Sequence, residues 1–590
     1  MNKFFRNIIF FIIITFSPMN AQNFDISQKP EPLREKEFSF PDYEVKYLEN
    51  ALKVYFIQDK EQPLVFVNLA LRKFFHDEKD PTLEMLMTEM ILKGTNKLTD
   101  EEISEKLEQT ASNLFMTSNR YTYRVHGMTL KKNLDTFLDV FGDILNNADF
   151  PQDELDKTKK HAITNLRLIK SNSFYPLKKL SGQILHGADH PFAKIPDEFQ
   201  VDDITREMLL NNYLEHFTPN NGILVVTGDF EIDDMMEELE KYLGNWNKGR
   251  LYDKQIPEFD NAETGQYFVQ RPNSAQSTIK ISTKAPGISE EDFFVFDILT
   301  DYMGSSYNGR LFKVLREDSS YAYSTNAFID TMENDNYAHF VANVNKESTL
   351  ESLDLMKQEI EKLELAKPGD EILESIKSFH LGNYLREFEE PLHASEYLIR
   401  KELFDIKIDS ISDYVNKIRS IKPDDIQNIA QKYSISDNFV FILGDTTLTD
   451  SILNLNGTKI YDKALNRLSK DSIKIANGEI THNLILDQYV KALGGNDEID
   501  SVKTLATYGD VTIKMGDELF NGKLLRKQTD STQMYQHLEV GLIDRKVWVD
   551  NDSVKVSFRN GSVEDPGKEL REMYKFQAKL FNTAKIFDLG

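Results

Sequence analysis

Two buried-strand patterns decide the fold, NGILVVTGD at Asn221–Asp229 and NFVFILGD at Asn438–Asp445. Each begins with Asn, continues as an apolar run and ends in Gly-Asp. Short apolar runs closed by turn residues are typical of strands that are buried on both faces. A helix pattern precedes each strand, around 206–217 and 424–433. The two strands therefore mark the same point in two copies of one unit, each spanning roughly 210 residues.

Working outward from these strands, both units combine one sheet with several helices. The predicted strands lie at 45–50, 52–57, 64–71 and 121–125 in the first unit, and at 277–282, 321–328 and 337–344 in the second. The predicted helices lie at 82–92, 134–145, 154–169, 177–185 and 232–243, and then at 293–303, 353–363 and 371–385. A capping box at Thr99 and Glu102 predicts one further helix start. This order predicts an α+β fold with two homologous α/β domains, 43–255 and 256–468.

The residues after 469 have a different pattern of apolar and polar residues. Short alternating patterns at 503–515, 521–527, 532–538 and 546–557 predict a curved antiparallel sheet, and 568–581 predicts a final helix. We therefore expect a smaller, mostly antiparallel β domain at 469–590. Its strands are too few for a closed barrel, so the domain either ends its fold there or is truncated.

Charge and composition narrow the function classes. The chain of 590 residues carries a formal charge of −26, which argues against nucleic acid as a partner because phosphate binding needs clustered Lys and Arg. Cysteine is absent. Disulfides, thiolate metal sites and a cysteine nucleophile are therefore excluded.

The first residues have the pattern of a secretory signal peptide. Lys3 and Arg6 precede an apolar run at 8–16, and small residues follow up to Ala21. We expect residues 1–21 to be removed and 22–42 to form an extended lead-in. The remaining chain is then exported, periplasmic or secreted, with no transmembrane segment.

A second decisive stretch runs from Met85 to Thr95 and predicts a buried helix that ends in a tight Lys-Gly-Thr turn. The chain from about Tyr43 to Asp445 resembles the pitrilysin/insulinase-type zinc peptidases, and more closely their processing-peptidase branch. The resemblance rests on the order and spacing of several short stretches along the chain: Leu48–Val54, Lys93–Thr95, Thr117–Tyr123, Phe150–Leu155, His190–Phe192, Gly309–Glu317 and Ala322–Ser324.

The resemblance implies a zinc motif that this chain lacks. The family helix carries H-x-x-E-H, with two zinc-binding histidines and a glutamate that acts as general base. Here Met85 and Glu89 stand at the histidine positions and Thr88 at the base. The third ligand, a glutamate, would fall at Thr164 or Asn165. We therefore expect no metal, no catalytic residue and no cofactor in this chain, with zinc in a partner chain.

The resemblance also implies two features that remain. The family's second half supplies an Arg and a Tyr to an active site, and these match Arg316 and Tyr323. The alternative is that Arg316 pairs with Glu317 and that Tyr323 is core. Substrate peptide pairs with an edge strand in the family, and that strand matches the residues Asn113, Leu114, Phe115, Met116 and Thr117.

One further pattern, His186-Gly-Ala-Asp-His190, reads H-x-x-D-H. Gly187 lies within it and Pro191 follows it, so a helix through both histidines is not expected. By order along the chain it matches the family's His-Pro loop.

These observations predict a non-catalytic subunit of an exported zinc metallopeptidase. It would dimerise with an active homologue and lend Arg316 and Tyr323 to the cleavage of a peptide substrate. One alternative is a periplasmic peptide- or lipid-binding module, for which the C-terminal sheet would serve. Another is an active metallopeptidase with an atypical metal site.

Overall fold

A computed structural model describes residues 40–74, 80–251, 264–469 and 489–580, apart from 306–308, 331, 334–335, 389, 407–409, 456, 516–517 and 542. The predicted signal peptide and the lead-in as far as residue 39 lie outside the described residues. Part of the loop at 304–309 and the predicted end of the last helix at 581 also lie outside them.

The first domain is built on a six-stranded sheet in the order β1-β2-β6-β3-β5-β4. β2 and β6 are parallel, and every other neighbouring pair is antiparallel. The strands are β1 (Tyr43–Tyr47), β2 (Lys53–Gln58), β3 (Leu64–Arg72), β4 (Asn113–Ser118), β5 (Thr122–Leu130) and β6 (Gly222–Gly228). The helices are α1 (Pro81–Met90), α2 (Asp100–Gln109), α3 (Leu134–Asn147), α4 (Gln152–Ser171), α5 (Tyr175–His186), α6 (Arg206–His216) and α7 (Ile232–Leu243).

The second domain has the strand order β12-β7-β11-β8-β10-β9 and repeats five of the six strand positions of the first. The outer edge strand differs, because β12 follows β11 in the chain and runs parallel to β7, whereas β1 precedes β2 and runs antiparallel to it. Its strands are β7 (Gln266–Gln270), β8 (Gln276–Ala285), β9 (Ala322–Ile329), β10 (Asn336–Asn345), β11 (Phe439–Gly444) and β12 (Lys459–Tyr461). Its helices are α8 (Phe293–Thr300), α9 (Arg310–Phe312), α10 (Thr349–Leu365), α11 (Asp370–Glu387), α12 (Pro391–Phe404), α13 (Ile411–Ser420), α14 (Pro423–Lys432) and α15 (Thr449–Leu453). Two π-helical stretches, Asp301–Ser305 and Lys313–Asp318, flank α9.

The two Gly-Asp strands confirm the predicted duplication. β6 and β11 occupy the same place in the two sheets, and every residue of both strands is buried. β11 runs parallel to β7 as β6 runs parallel to β2. Helices or the neighbouring domain cover both faces of these strands, so the side chains on both faces are apolar. The sequence of each strand is therefore a continuous apolar run.

The two domains interlock through exchanged helices. Leu398 and Ile399 of α12 pack on the outer face of the first sheet, against Val225. Leu177 and Leu180 of α5 pack in return on the second sheet. Each sheet therefore buries one face against a helix of the other domain, and the two domains are joined by two separate apolar clusters.

The third domain is an antiparallel meander, β13-β14-β15-β16-β17-β18, and its sheet is confirmed. Its elements are α16 (Asn496–Ser501), β13 (Thr504–Met515), β14 (Glu518–Thr529), β15 (Gln533–Val540), β16 (Ile543–Asp550), β17 (Ser553–Phe558), β18 (Val563–Glu564) and α17 (Lys568–Ala578). The single strand predicted at 546–557 is wrong, because a turn separates β16 from β17 and Asn551 adopts φ 50° in it. Tyr574 of α17 packs on the sheet with Val547 and Val556.

Candidate functional site

The helix that matches the zinc helix is fixed in the core by one of its faces. Asp80 caps α1, accepting hydrogen bonds at Oδ1 from the main-chain N–H of Thr82 (2.8 Å) and Leu83 (3.3 Å). Leu86, Met87 and Met90 are fully buried in the first core. These three residues define the buried face of α1. Met85, Thr88 and Glu89 lie on its other, partly exposed side, where α1 packs beside α4.

None of the three substituted positions on α1 offers a zinc site. The Thr88 hydroxyl donates to the main-chain oxygen atoms of Met85 (2.6 Å) and Glu84 (3.1 Å), so it is used within its own helix. Met85 packs against the apolar core. Burial raises the pKa of the Glu89 carboxyl, while His161 and Lys93 act in the opposite direction.

The facing helix α4 does not complete a ligand set. The Thr164 hydroxyl donates to the Lys160 main-chain oxygen (3.0 Å), and Asn165 is exposed. On these two helices only an electrostatic interaction between Glu89 and His161 brings potential ligands together among the described residues. A catalytic zinc site takes three protein ligands and a water molecule. Within the described ranges, no three His, Asp or Glu side chains are arranged to hold a metal ion. These residues therefore do not fit zinc.

The predicted peptide-binding strand is β4, and it forms the edge of the first sheet. It pairs with β5 on one side, as Leu114 with Gly127 and Met116 with Val125. Leu114 and Met116 turn into the core, whereas Phe115 is 54% exposed. The Leu114 and Met116 side chains therefore fill the interior of the domain. The unpaired edge of β4 runs beside α1.

Arg316 and Tyr323 meet at the start of β9, the edge strand of the second sheet. Arg316 donates to the main-chain oxygen of Tyr323. Its guanidinium lies 5.7 Å from the centroid of the Tyr323 ring and 5.4 Å from that of Phe312. Tyr323 is 71% exposed. The alternative in which Tyr323 is core is therefore wrong, and Arg316 is held by the main chain at 323 rather than by Glu317.

The histidines of the H-x-x-D-H pattern do not share a helix. α5 ends at His186, and Gly187 follows with φ 87°. Both His186 and His190 are buried, with ring centroids 6.0 Å apart. Burial lowers the pKa of His186 to about 3, and the nearby Arg120 acts in the same direction.

This burial predicts acid sensitivity of the contact between α5 and the second sheet. The folded-state pKa of His186 lies below its ordinary value of 6.5, so its stabilising contribution is complete above pH 6.5 and is lost as pH falls toward 3. One such group changes the free energy of unfolding by about 1.4 kcal/mol per pH unit. His186→Gln is expected to reduce this slope in urea titrations between pH 6.5 and 4. His393→Gln, at a side chain that is 43% exposed, should leave the slope unchanged.

A third group of polar residues was not among the sequence predictions. Asp297 and Asp301 on α8 and the stretch after it approach His380 on α11. The i, i+4 spacing of the two aspartates beside a Phe-rich helix is the signal in the sequence that could have found them.

Comparisons with known proteins agree with this architecture. The model of the insulinase peptidase family, M16, matches residues 77–180, and the model described as the peptidase M16 inactive domain matches residues 203–379. The chain is 19% identical to a Bacillus subtilis protein named uncharacterized zinc protease YmxG, over 59% of this chain and 84% of that protein. It is 22% identical to a Helicobacter pylori protein named non-peptidase homolog YmxG, over 68% of this chain and 90% of that protein. The crystal structure of a peptidase M16 inactive domain from Pseudomonas fluorescens superposes with a TM-score of 0.63 at 14% identity, covering 68% of this chain and 98% of that chain.

Proposed function

Because the chain belongs to the insulinase family of peptidases, family M16, we propose that it is a non-catalytic subunit that pairs with a homologous, zinc-containing peptidase chain. One observation carries the proposal. Arg316 and Tyr323 lie together and exposed at the start of β9, whereas α1 and α4 present no ligand set for zinc. Two groups suited to peptide hydrolysis are present in a chain whose described residues offer no place for the metal, so they serve a site in another chain.

The position of the pair supports a role outside this chain. The hairpin between β9 and β10 contacts the first domain, where the main-chain N–H of Glu333 donates to the Tyr121 hydroxyl (3.1 Å) and Arg120 approaches Asp330 (3.6 Å). Tyr323 lies at the other end of β9. At about 3.3 Å per residue, it is roughly 20 Å along the strand from this contact. The pair therefore lies away from the first domain's contact with β9 and is open to a second chain.

The chemistry of the two side chains fits the support of peptide cleavage. A guanidinium can hold a peptide carbonyl or carboxylate through two N–H groups. A tyrosine hydroxyl can donate to the oxyanion that develops when the carbonyl is attacked. In the free chain the Arg316 guanidinium is held by the Tyr323 main-chain oxygen. The two groups therefore lie side by side in the free chain.

The edge strand β4 supplies the second element of the proposal. An extended peptide can add to it through main-chain hydrogen bonds, which tolerate varied side chains. Phe115, exposed on this strand, offers an apolar contact for one substrate residue. The subunit then contributes to holding the substrate while the partner supplies the zinc and the general base.

Export is part of the proposal, since it rests on the signal pattern at residues 1–21. The partner must then share the periplasmic or extracellular compartment. In the described part of the chain, no helix combines the length and the apolar character needed to cross a bilayer.

Co-expression tests the pairing directly. The tagged chain is expressed with a homologue from the same genome that carries H-x-x-E-H and a signal peptide. We expect an equimolar complex in size-exclusion chromatography with multi-angle light scattering. A second tagged copy of this chain replaces the homologue as the control. If the chain stays monomeric with every such homologue at micromolar concentration, the subunit proposal is wrong.

A further inference from the structure

A cavity of about 650 Å³ lies within the second domain. Its walls come from α8, β9, α11 and α12, with Tyr414 of α13 at one side. α8 follows β8 as α1 follows β3, β9 is the edge strand as β4 is, and α11 follows β10 and one helix as α4 follows β5 and one helix. The cavity therefore occupies, in the second domain, the place that the degenerate zinc position occupies in the first.

The cavity walls are largely aromatic. They include Phe294, Phe328, Tyr384, Tyr397 and Tyr414. The Tyr384 and Tyr414 rings stack with centroids 4.1 Å apart, and the His380 ring lies 6.1 Å from that of Tyr414. Sites for small molecules have this composition, with many apolar and aromatic side chains and a few placed polar groups.

Two carboxylates at the cavity are already neutralised by protein partners. Asp301 Oδ2 lies 2.6 Å from His380 Nδ1, and the Tyr414 hydroxyl lies 2.6 Å from His380 Nε2. Glu396 pairs with Arg124 of the first domain (3.1 Å) and accepts from the Asn68 side chain (2.9 Å). These groups form the frame of the cavity rather than its binding contacts.

Asp297 is different, because it faces the cavity without a hydrogen-bond donor among the described residues. The nearest basic nitrogen in this part of the structure, His380 Nε2, is 4.0 Å from its Oδ2. Its side chain keeps 28% exposure, which opens onto the cavity. Burial raises the pKa of Asp297 to about 6, with Asp301 acting in the same direction and His380 and Arg400 in the other. A carboxylate that is buried without a hydrogen-bond donor destabilises the protein while the cavity is empty. A cation that enters the cavity beside it would stabilise its charge.

We propose that this cavity binds an organic cation, a primary amine on an apolar stem, with the ammonium at Asp297 and the stem against the aromatic walls. A carboxylate supplies the charge, and the faces of Tyr384, Tyr397 and Tyr414 supply the attraction that aromatic rings have for ammonium groups. Arg400 also lines the cavity, and its side chain is exposed. Its positive charge opposes the binding of an ammonium group. The amine is either a free small molecule or the side chain of a lysine in a peptide. The inference stands apart from the partner proposed above, since every residue it uses belongs to this chain.

Three ligands with the same phenylethyl stem and different polar ends test the charge requirement. Isothermal titration calorimetry at pH 8 compares 2-phenylethylamine, 2-phenylethanol and 3-phenylpropionate on the full mature chain. We expect the amine to bind at least ten times more tightly than the alcohol. Equal binding of amine and alcohol, tighter binding of the anion, or binding of none of the three would overturn the proposal. This comparison needs no variant, so it stands even if a substitution in the cavity prevents folding.

Asp297→Asn tests the position. It is expected to remove the difference between amine and alcohol, whereas Asp153→Asn, at a side chain that is 75% exposed on α4, should keep it. If Asp297→Asn folds and still prefers the amine tenfold, the assignment to Asp297 is wrong.

A heptapeptide with a central lysine and its norleucine analogue distinguish the two sources of the amine, a free small molecule and a lysine side chain. Preference for the lysine peptide identifies a peptide side chain, and binding of the free amine alone identifies a small molecule.

Discussion

The quadruple variant Met85→His, Thr88→Glu, Glu89→His and Asn165→Glu is expected to bind one zinc ion per chain, whereas the wild-type chain binds none. Residues 85 and 89 lie one turn apart on the partly exposed side of α1, and α4 packs beside it. Two histidines and a glutamate there would supply the three protein ligands of a catalytic site. Zinc binding at structural protein sites is worth about 10–16 kcal/mol, so the gain is of the order of 10 kcal/mol.

A matched variant separates metal binding from catalysis. The triple variant that keeps Thr88 carries all three ligands without the general base, so it should bind zinc and cleave nothing. Metal content by inductively coupled plasma mass spectrometry, after dialysis against a weak chelator, gives the stoichiometry. Stoichiometric zinc in the wild-type chain would contradict the account of the degenerate site and favour an atypical metal centre.

Arg316→Ala in the complex with the active partner is expected to lower kcat by about 10²–10³-fold, the range seen when one oxyanion donor is removed. In the proposed complex the guanidinium would hold the substrate, and in this chain it lies 5.7 Å from the centroid of the Tyr323 ring, so its loss would remove both interactions. Arg316→Lys should recover little, because an ammonium cannot make two parallel hydrogen bonds to a carboxylate or hold the planar contact.

Two controls make the Arg316 result specific. Lys313→Ala removes an exposed cation from the same helical stretch and should leave kcat unchanged. Tyr323→Phe removes only the hydroxyl and should lower kcat without weakening the complex. If Arg316→Ala leaves the activity of the complex intact, the proposed Arg/Tyr contribution is wrong, although the pairing of the chains would stand.

Long apolar runs and helix caps made much of the fold predictable. β6 and β11 are buried on both faces, so their sequence shows one signal without interruption by exposed positions. The capping box at Thr99 is present as predicted, because its bonds are local. The two strands within 546–557 could not be separated from the sequence, because the alternation of apolar and polar residues continues across the turn at Asn551.

The helices at Pro391–Phe404 and Ile411–Ser420 were not among the predicted elements, and the first of these holds the domains together. α12 buries Leu398 and Ile399 on the first sheet while Tyr397 lines the cavity of the second domain. A helix covered from two directions has no single apolar stripe, so periodicity identifies it poorly. The cavity was missed for a related reason, because Asp297, His380 and Tyr414 come together only in three dimensions.

Cleavage of a mixed peptide library by this chain alone, by its partner alone and by the two together tests the central claim most directly. We expect no cleavage by this chain, weak or no cleavage by the partner, and strong cleavage by the mixture. Cleavage by the purified chain alone, abolished by a chelator, would contradict it. No gain in the mixture over the partner alone would contradict it equally and would favour a binding module without peptidase function.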